Sequence, residues 1–349
     1  MDHNLLNAFK EHINKNNYSI LAGPDWPDFD QFQLGENIPQ FVIDELIAIS
    51  ASPVYAEFYI TNVCNLNCSD CRSFNNFDFK GHYDFDAELY QRWANKFDLQ
   101  AYVILGGEPL LHPNLQTWME GTRKLWPNAW AKLDSNGTYI TKSKNLHQLL
   151  AHNEYFLCIN MHNHDNIQEH LDNVEQAFGK CEHITESDPR ITYNGKFPKV
   201  RHLTSVDEDI WLLSDLNVPI HLRPAWAFEK SIAGATNWNA LSKQTDKHSI
   251  YIGDAKQSHD RCGSKSCHVM KDGKLYKCST VATLPDFLKQ KNLTWPDDSI
   301  SQYQPISVDD FSLEDYAKLS APIPLCAFCP NEQSIRISAT DIKIKIKNL

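Results

Sequence analysis

From residue 54 onward, apolar runs of strand length alternate with amphipathic runs of helix length. That alternation constrains the fold more than any other feature, because it calls for parallel strands joined by crossover helices. "VYAEFYIT" (54–61), "AYVIL" (101–105), "AWAKLDS" (129–135), "YFLCINMH" (155–162) and "VPIHLRPAW" (218–226) read as strands. Helical periodicity covers 86–97 and the regions near 114–125, 141–151 and 165–178. A polar stretch, 183–217, interrupts the pattern, and beyond about residue 250 it fades. The expected architecture is an α/β sheet, doubly wound or closed into a barrel.

In such folds the loops after the strand ends carry the chemistry. Here three of those loops hold unusual sequence: "CNLNCSDC" (64–71), "GGEP" (106–109) and "SNGT" (135–138). Three motifs on one rim mean more than any of them alone. The first places Cys64, Cys68 and Cys71 in eight residues with C-x3-C-x2-C spacing. Three thiolates hold three irons of a cubane 4Fe–4S cluster and leave the fourth open to chelate a ligand. A structural zinc site needs four ligands, and no fourth cysteine lies nearby; the nearest histidine is His82. The glycines suit a close backbone approach at a strand end, although each of the two glycine-containing motifs by itself also describes an ordinary turn.

The remaining composition narrows the function. A net charge of −11 leaves no basic surface for nucleic acid. No run approaches the roughly 18 apolar residues of a membrane span, and "MDHNLLNAFKEHINKNN" lacks the pattern of a signal peptide. The expectation is a cytoplasmic protein without nucleic-acid or membrane partners. Ten cysteines in such a chain argue for metal ligation over disulfides. Cys158, inside "YFLCIN", reads as a buried small hydrophobe, and Cys181 has no assigned role.

The three strand-end motifs together resemble the radical S-adenosylmethionine enzymes, over roughly residues 55–225. The resemblance implies a partial (β/α)6 TIM-like barrel. It implies that the open iron of the cluster on Cys64, Cys68 and Cys71 binds S-adenosylmethionine, whose reductive cleavage yields a 5′-deoxyadenosyl radical that abstracts a substrate hydrogen. By the same resemblance Gly106, Gly107, Glu108 and Pro109 meet the methionyl amino group, with Glu108 as its charge partner. Ser135, Asn136 and Thr138 supply hydrogen bonds near the cofactor, and Asn160 and His162 align with a ribose-binding pair. The residue before the last cysteine is commonly aromatic in the family; here it is Asp70, and Phe74 or another aromatic takes the packing role on the adenine.

A second cysteine group follows. Cys262, ten residues, Gly273, four residues and Cys278, then the knuckle Cys326-x2-Cys329, fit the opening of the SPASM and twitch domains, which carry auxiliary 4Fe–4S clusters. "DGKLYKC" reads directly as a hairpin with Asp272-Gly273 at its turn. Five cysteines suffice for one four-ligand cluster, which favours twitch. Cys262, Cys278, Cys326 and Cys329 are the preferred ligands, and Cys267 is the rival to Cys262. Apart from the first triplet, a zinc knuckle fits this group equally well.

The expected organisation is an N-terminal extension at 1–50, with helical patterns near 4–15 and 40–49. The barrel follows at 51–250, a small cysteine-rich twitch/SPASM-like unit at 255–335, and a tail at 336–349. The tail's "DIKIKIKNL" alternates like a terminal strand. The expected activity is oxidation of a small polar molecule, such as an alcohol, sugar or aminocyclitol. A fully ligated auxiliary cluster accepts the electron, and flavodoxin or ferredoxin serves as reductant. A peptide-modifying enzyme is the alternative, although the 50 residues before the barrel look short for a leader-recognition domain. A non-catalytic iron–sulfur or zinc protein is a more distant one. No individual residue is expected as the catalytic acid or base.

Overall fold

The computed structural model describes residues 55–66, 68, 71–74, 81–99, 101–162, 167–185, 188, 190, 210–224, 227–229, 253–260, 262, 267–292, 294–295, 297–319, 321–329 and 336–338. The expected helices of residues 1–50, Asp70 and the lysine-alternating tail lie outside them.

A nine-stranded sheet organises the chain. Its strands are β1 (Tyr55–Tyr59), β2 (Ala101–Leu105), β3 (Trp130–Ser135), β4 (Tyr155–Met161), β5 (Glu182–Ile184), β6 (Ile210–Leu213), β7 (Pro219–Pro224), β9 (Val269–Lys271) and β10 (Lys274–Tyr276). They lie in the order β10-β9-β1-β2-β3-β4-β7-β6-β5. The six neighbours from β9 to β7 run parallel, and β10, β6 and β5 are antiparallel to their partners. This is the expected α/β architecture with a central parallel sheet. The interrupted stretch at 183–217 contributes β5 and β6, an antiparallel edge beside β7. A separate two-stranded ribbon pairs β8 (Ala227–Glu229) with β11 (Arg336–Ser338), so the start of the expected tail lies beside the end of the barrel segment.

Strand alternation divides the sheet into two unlike faces. Ala56, Phe58, Ile60, Tyr102, Ile104, Leu133, Leu157, Ile159 and Ile220 pack in the main core. Against them lie α1 (Ala87–Ala94) through Tyr90 and Trp93, and α2 (Leu115–Leu125) through Leu115, Trp118 and Met119. The same core takes α3 (Leu146–His152) through Leu146 and Leu150, and α4 (Ile167–Phe178) through Val174 and Phe178. These spacings of three and four residues are helix faces meeting an apolar sheet. The intervening strand positions mix apolar residues such as Ala101, Val103, Trp130 and Phe156 with Tyr55, Glu57, Lys132, Asp134, Cys158, Asn160, His221 and Arg223. Parallel sheets are ordinarily apolar on both sides, so this second face is chemically distinctive.

Local chemistry fixes the helix positions. Asp86 caps α1 by accepting from the Leu89 amide at 3.0 Å. Arg123, in the last turn of α2, donates to the Asn153, Ala129 and Glu154 carbonyls at 2.7, 2.7 and 2.8 Å. It thereby ties that helix to the starts of β3 and β4. Among the described residues, no helix is long and apolar enough to cross a membrane.

The C-terminal hairpin does not stand apart from the sheet. Asp272 and Gly273 both have positive φ (49° and 68°), the two-residue turn that Asp-Gly predicts. Its first strand, β9, pairs parallel with β1, Glu57 opposite Val269 and Phe58 opposite Met270. Trp93 on α1 donates to the Gly273 carbonyl at 2.9 Å, and a Cβ on Gly273 would lie 2.1 Å from Leu89 Cδ2. The cysteine-rich segment therefore grows out of the edge of the main sheet. After the hairpin come α6 (Ser279–Lys291), α7 (Ser299–Gln302) and α8 (Leu313–Leu319); α5 (Ala255–Asp260) precedes it.

Candidate cofactor and metal site

The three strand-end motifs meet in one hydrogen-bonded rim. The Gly107 amide donates to the Thr61 carbonyl at 2.6 Å and the Glu108 amide to the Val63 carbonyl at 2.7 Å. The glycines make this contact sterically possible. A Cβ on Gly106 would fall 2.5 Å from the Thr61 oxygen, and one on Gly107 2.4 Å from the Val63 oxygen. Their close approach is to the backbone entering the cysteine loop, where the sequence pointed to approach by a ligand.

Glu108 is fully buried. Its Oε1 accepts from Ser135 Oγ at 2.8 Å and from the Leu110 amide at 3.1 Å, and its Oε2 from the Asn136 amide at 2.8 Å. Burial lifts its carboxyl to about 7 against the pull of these donors. Both oxygens are engaged inside the protein. Within the chain itself, Glu108 clamps the second motif to the third. Pro109 opens a short 3-10 turn directly behind it.

From Asn136 the network returns to the first motif. Its Nδ2 donates to Asn65 Oδ1 at 3.0 Å and points to Cys64 Sγ at 3.8 Å, while its Oδ1 accepts from the Thr138 amide and hydroxyl at 3.0 and 2.6 Å. Asn65 Nδ2 donates to Thr138 Oγ1 at 2.6 Å. Ser135 Oγ also accepts from the Gly137 amide at 3.0 Å. Cys64, Cys68 and Cys71 pack into one small cluster with Leu66. Cys64 Sγ accepts from the Leu66 amide at 3.4 Å, and the Cys71 amide donates to the Cys68 carbonyl at 3.3 Å. His82 Nδ1 lies 2.9 Å from Thr61 Oγ1.

Phe74 is not placed to pack on an adenine. Its ring is fully buried and stacks on Phe287 of α6, centroids 4.8 Å apart and planes within 14°. It anchors the end of the cysteine loop in a second core with Leu284, Phe287, Leu325 and Phe328. A polar chain runs beside it: Asn62 Nδ2 donates to Tyr83 OH at 2.7 Å, and Tyr83 OH to Asp286 at 3.2 Å. Asp286 pairs with buried Lys271, whose Nζ also donates to the Ala282 carbonyl at 2.7 Å. The first cysteine loop is thus fastened to the helix that begins after Cys278.

The rim continues at the ends of β4 and β7. Asn160 and Arg223 are register partners, both half-buried, and His162 lies one residue past β4. One row down, Lys132 Nζ lies 3.0 Å from Asp134 Oδ1, and Tyr55 OH donates to Glu57 Oε1 at 3.1 Å. Burial lifts Glu57 to about 7. Cys158 is fully buried, as its apolar context implied, and burial pushes its thiol up to about 12. The period-2 pairs Lys132/Asp134 and His221/Arg223 were the signal for this polar face, inside strands that otherwise read as apolar. The sequence reading did not take it up.

The C-terminal thiols also gather. Cys278 sits at the N-cap of α6, where the helix field favours a thiolate. Cys326 lies within a five-residue 3-10 turn, Pro324–Phe328, and Cys329 caps its end. The Cys329 carbonyl accepts from Ser258 Oγ at 2.7 Å, and the Cys262 amide donates to the His259 carbonyl at 3.0 Å. Burial raises the Cys326 thiol, Cys278 to about 11 and Cys329 to about 12. Within the set Cys262 acts on Cys278, Cys326 and Cys329. Cys267 lies near both Glu57 and Cys262: burial, then Glu57, then Cys262 raise its thiol. All ten cysteines are free of disulfides.

Two soft-donor sets therefore exist, one of three thiols and one of four. Among the described residues, no three His, Cys, Asp or Glu side chains are arranged to hold an ion as they stand. A single tetrahedral zinc would require such close convergence, with Zn–S near 2.3 Å; a multi-iron cluster spreads its ligands further apart. In donor type, number and shared neighbourhood both sets fit iron–sulfur clusters. A bound cluster would offset the burial that now raises the thiols.

No protein-family model matches the chain, and no curated protein sequence matches it. Among solved structures, it is similar to BtrN in complex with AdoMet and 2-DOIA. The identity there is 14% over 79% of this chain and 85% of that one, with a TM-score of 0.36. It is also similar to Streptococcus suis SuiB bound to precursor peptide SuiA, at 12% identity over 92% and 82% with a TM-score of 0.34. SuiB bound to S-adenosylmethionine gives 9% identity over 92% and 82%, again with a TM-score of 0.34.

Proposed function

We propose that this chain is a radical S-adenosylmethionine enzyme that oxidises a small polar molecule. The observation that carries the reading is the hydrogen-bonded rim: Cys64, the GGEP backbone and the SNGT loop form one network through Glu108, Asn136 and Asn65. An electron-transfer or zinc protein has no need of such a rim beside a three-thiol set. Cys64, Cys68 and Cys71 would hold a cluster with one open iron, and Cys262, Cys278, Cys326 and Cys329 a fully ligated one. When bound, the open cluster supplies reductive cleavage of S-adenosylmethionine to methionine and a 5′-deoxyadenosyl radical, and the closed cluster accepts an electron.

The chain's own residues organise that chemistry. Gly106 and Gly107 bring the GGEP backbone against the cysteine loop, and Glu108 is a positioning residue that holds Ser135 and Asn136 in place. Asn136 orients toward Cys64. Asn160 and His162, at the end of β4, remain the proposed ribose contacts. The polar residues Glu57, Lys132, Asp134 and Arg223 on the sheet support a polar substrate, and Cys267, near both Glu57 and Cys262, stays the rival to Cys262 in the ligand set. Flavodoxin or ferredoxin would serve as electron donor.

The test is to reconstitute the protein anaerobically with iron and sulfide, add S-adenosylmethionine and dithionite, and measure 5′-deoxyadenosine. Steady formation that disappears in the Cys64→Ala, Cys68→Ala, Cys71→Ala triple variant supports the reading. Formation by the triple variant at the wild-type rate refutes it.

A further inference from the structure

Arg92 pairs with Asp309, Arg190 with Glu182 and Asp188, and Arg123 donates to main-chain carbonyls. Arg223 is different. It lies near the end of β7, half-buried, and among the described residues nothing hydrogen-bonds or ion-pairs with its guanidinium. Lys132, on the same side of the sheet, is already paired with Asp134 at 3.0 Å. A half-buried cation left unpaired stands out in a chain with 44 acidic and 33 basic residues.

The strand register determines what Arg223 borders. Ser135 is opposite Ile159 and Asn160 is opposite Arg223, so the rim runs on from Asn136 through Asn160 to Arg223. Asp134, Cys158 and His221 form the row beneath. Alternation turns these residues to the side of the sheet away from α1 to α4. Adjacent strands are about 4.8 Å apart, which places Arg223 roughly 10 Å along the rim from Asn136.

A guanidinium offers its donors in a planar fork that matches two oxygens of a carboxylate or phosphate. Partly withdrawn from water, it attracts an anion more strongly than a fully solvated cation does. On the proposal above, S-adenosylmethionine is anchored at the open iron beside Cys64, next to β1, whereas β7 lies four strands along. The anion that reaches Arg223 then belongs to the other molecule in the site.

We infer that Arg223 is a specificity residue that binds a carboxylate or phosphate group of the substrate, so that the molecule oxidised is an acid or a phosphate ester. This rests on the reading of the rim as a cofactor site. No bond is made or broken at Arg223; it holds one end of the substrate beside Asn160, the proposed ribose contact.

The experiment is a calorimetric titration of the reconstituted holoenzyme, loaded with S-adenosylmethionine and left unreduced, in wild type, Arg223→Gln and Arg223→Lys. Glucuronate and glucose 6-phosphate are the anionic probes, and glucose and glucosamine their neutral and cationic counterparts. Wild type should bind an anionic probe about tenfold tighter than glucose, the margin that one charge-assisted pair supplies. Glucuronate ahead of glucose 6-phosphate makes the substrate an acid; the reverse order makes it a phosphate ester. Arg223→Gln should remove the margin and Arg223→Lys keep part of it, both with unchanged iron content and S-adenosylmethionine affinity. In wild type the tighter probe should also protect Arg223 from phenylglyoxal, read by mass spectrometry, which locates the site even if Arg223→Gln fails to fold. No margin in wild type, or an equal margin in Arg223→Gln, overturns the inference. Weaker S-adenosylmethionine binding by Arg223→Gln, with the margin intact, assigns the guanidinium to the cofactor's carboxylate and also overturns it. A wild type that shows the margin yet forms no 5′-deoxyadenosine under dithionite keeps the anion site and refutes the cofactor reading.

Discussion

The two cysteine sets are built in opposite ways. The first lies on a rim where side chains from three strand ends hold one another: Glu108 reaches 27 and 28 residues forward to Ser135 and Asn136, and Asn136 reaches 71 residues back to Asn65. The second is assembled from short pieces, an N-cap, a 3-10 turn and a position two residues past a six-residue helix. Its four cysteines are half-buried, and burial raises the thiols of Cys278, Cys326 and Cys329. A pre-organised rim retains its shape without its metal, whereas a set held by short turns depends on the metal for its order. A site that binds and releases a cofactor benefits from the first design. A permanent electron acceptor is compatible with the second.

That contrast breaks most decisively at the cysteines. Replacing Cys64, Cys68 and Cys71 by Ala should abolish 5′-deoxyadenosine formation and leave about half the iron, since the four C-terminal thiols belong to a separate set. Cys278→Ala should reduce the iron from about eight to about four per chain and expose residues 255–330 to protease. It should stop product formation while leaving cofactor cleavage measurable. Equal protease resistance in the apo forms of both variants would show that the two regions do not differ in their dependence on metal.

A smaller effect is expected inside the rim. Glu108→Ala leaves the Ser135 hydroxyl and the Asn136 and Leu110 amides without their acceptor, at a cost of roughly 3 kcal/mol for buried donors. Chemical denaturation should show that loss, with the iron content nearly unchanged and cofactor cleavage slowed. The pH dependence sharpens the same point. Burial lifts Glu108 from 4.5 to about 7 in the folded chain, so folding takes up a proton between those values. Its contribution to stability is full below about 4.5, falls as pH rises toward 7, and is level above. Glu57, lifted to about 7 as well, adds a slope of the same sign. Glu108→Gln should therefore flatten the fall in stability between pH 4.5 and 7 by roughly half. The smallest effect belongs to Cys267→Ala, which should keep close to eight irons with Cys262 as the fourth ligand. A fall to four would return Cys267 to the ligand set.

Much of this was legible in the sequence, for identifiable reasons. Apolar runs bounded by glycine and polar loops gave β1 to β4 and β7, and the Asp272-Gly273 pair gave the hairpin, because those signals are local. The meeting of the three motifs on one rim also followed, since parallel strands place all their C-terminal ends on one side. Long-range pairings left no local trace. Nothing near Val269 announces that it pairs with Glu57, more than two hundred residues earlier. Phe74 looked available for a ligand because its partner, Phe287, lies on a distant helix. Glu108 looked like a ligand contact because a carboxylate after two glycines has that appearance. Its partners within the chain became visible only with the β3 loop in place.

The claim at the centre of this account is that S-adenosylmethionine binds the rim cluster and no other. The Cys278→Ala variant, reconstituted and reduced with dithionite, should contain only that cluster. Its electron paramagnetic resonance spectrum recorded with and without S-adenosylmethionine tests the claim directly. The account predicts a changed signal on addition of the cofactor, lost when Cys64, Cys68 and Cys71 are also replaced. An unchanged spectrum in a variant that still holds about four irons would contradict it.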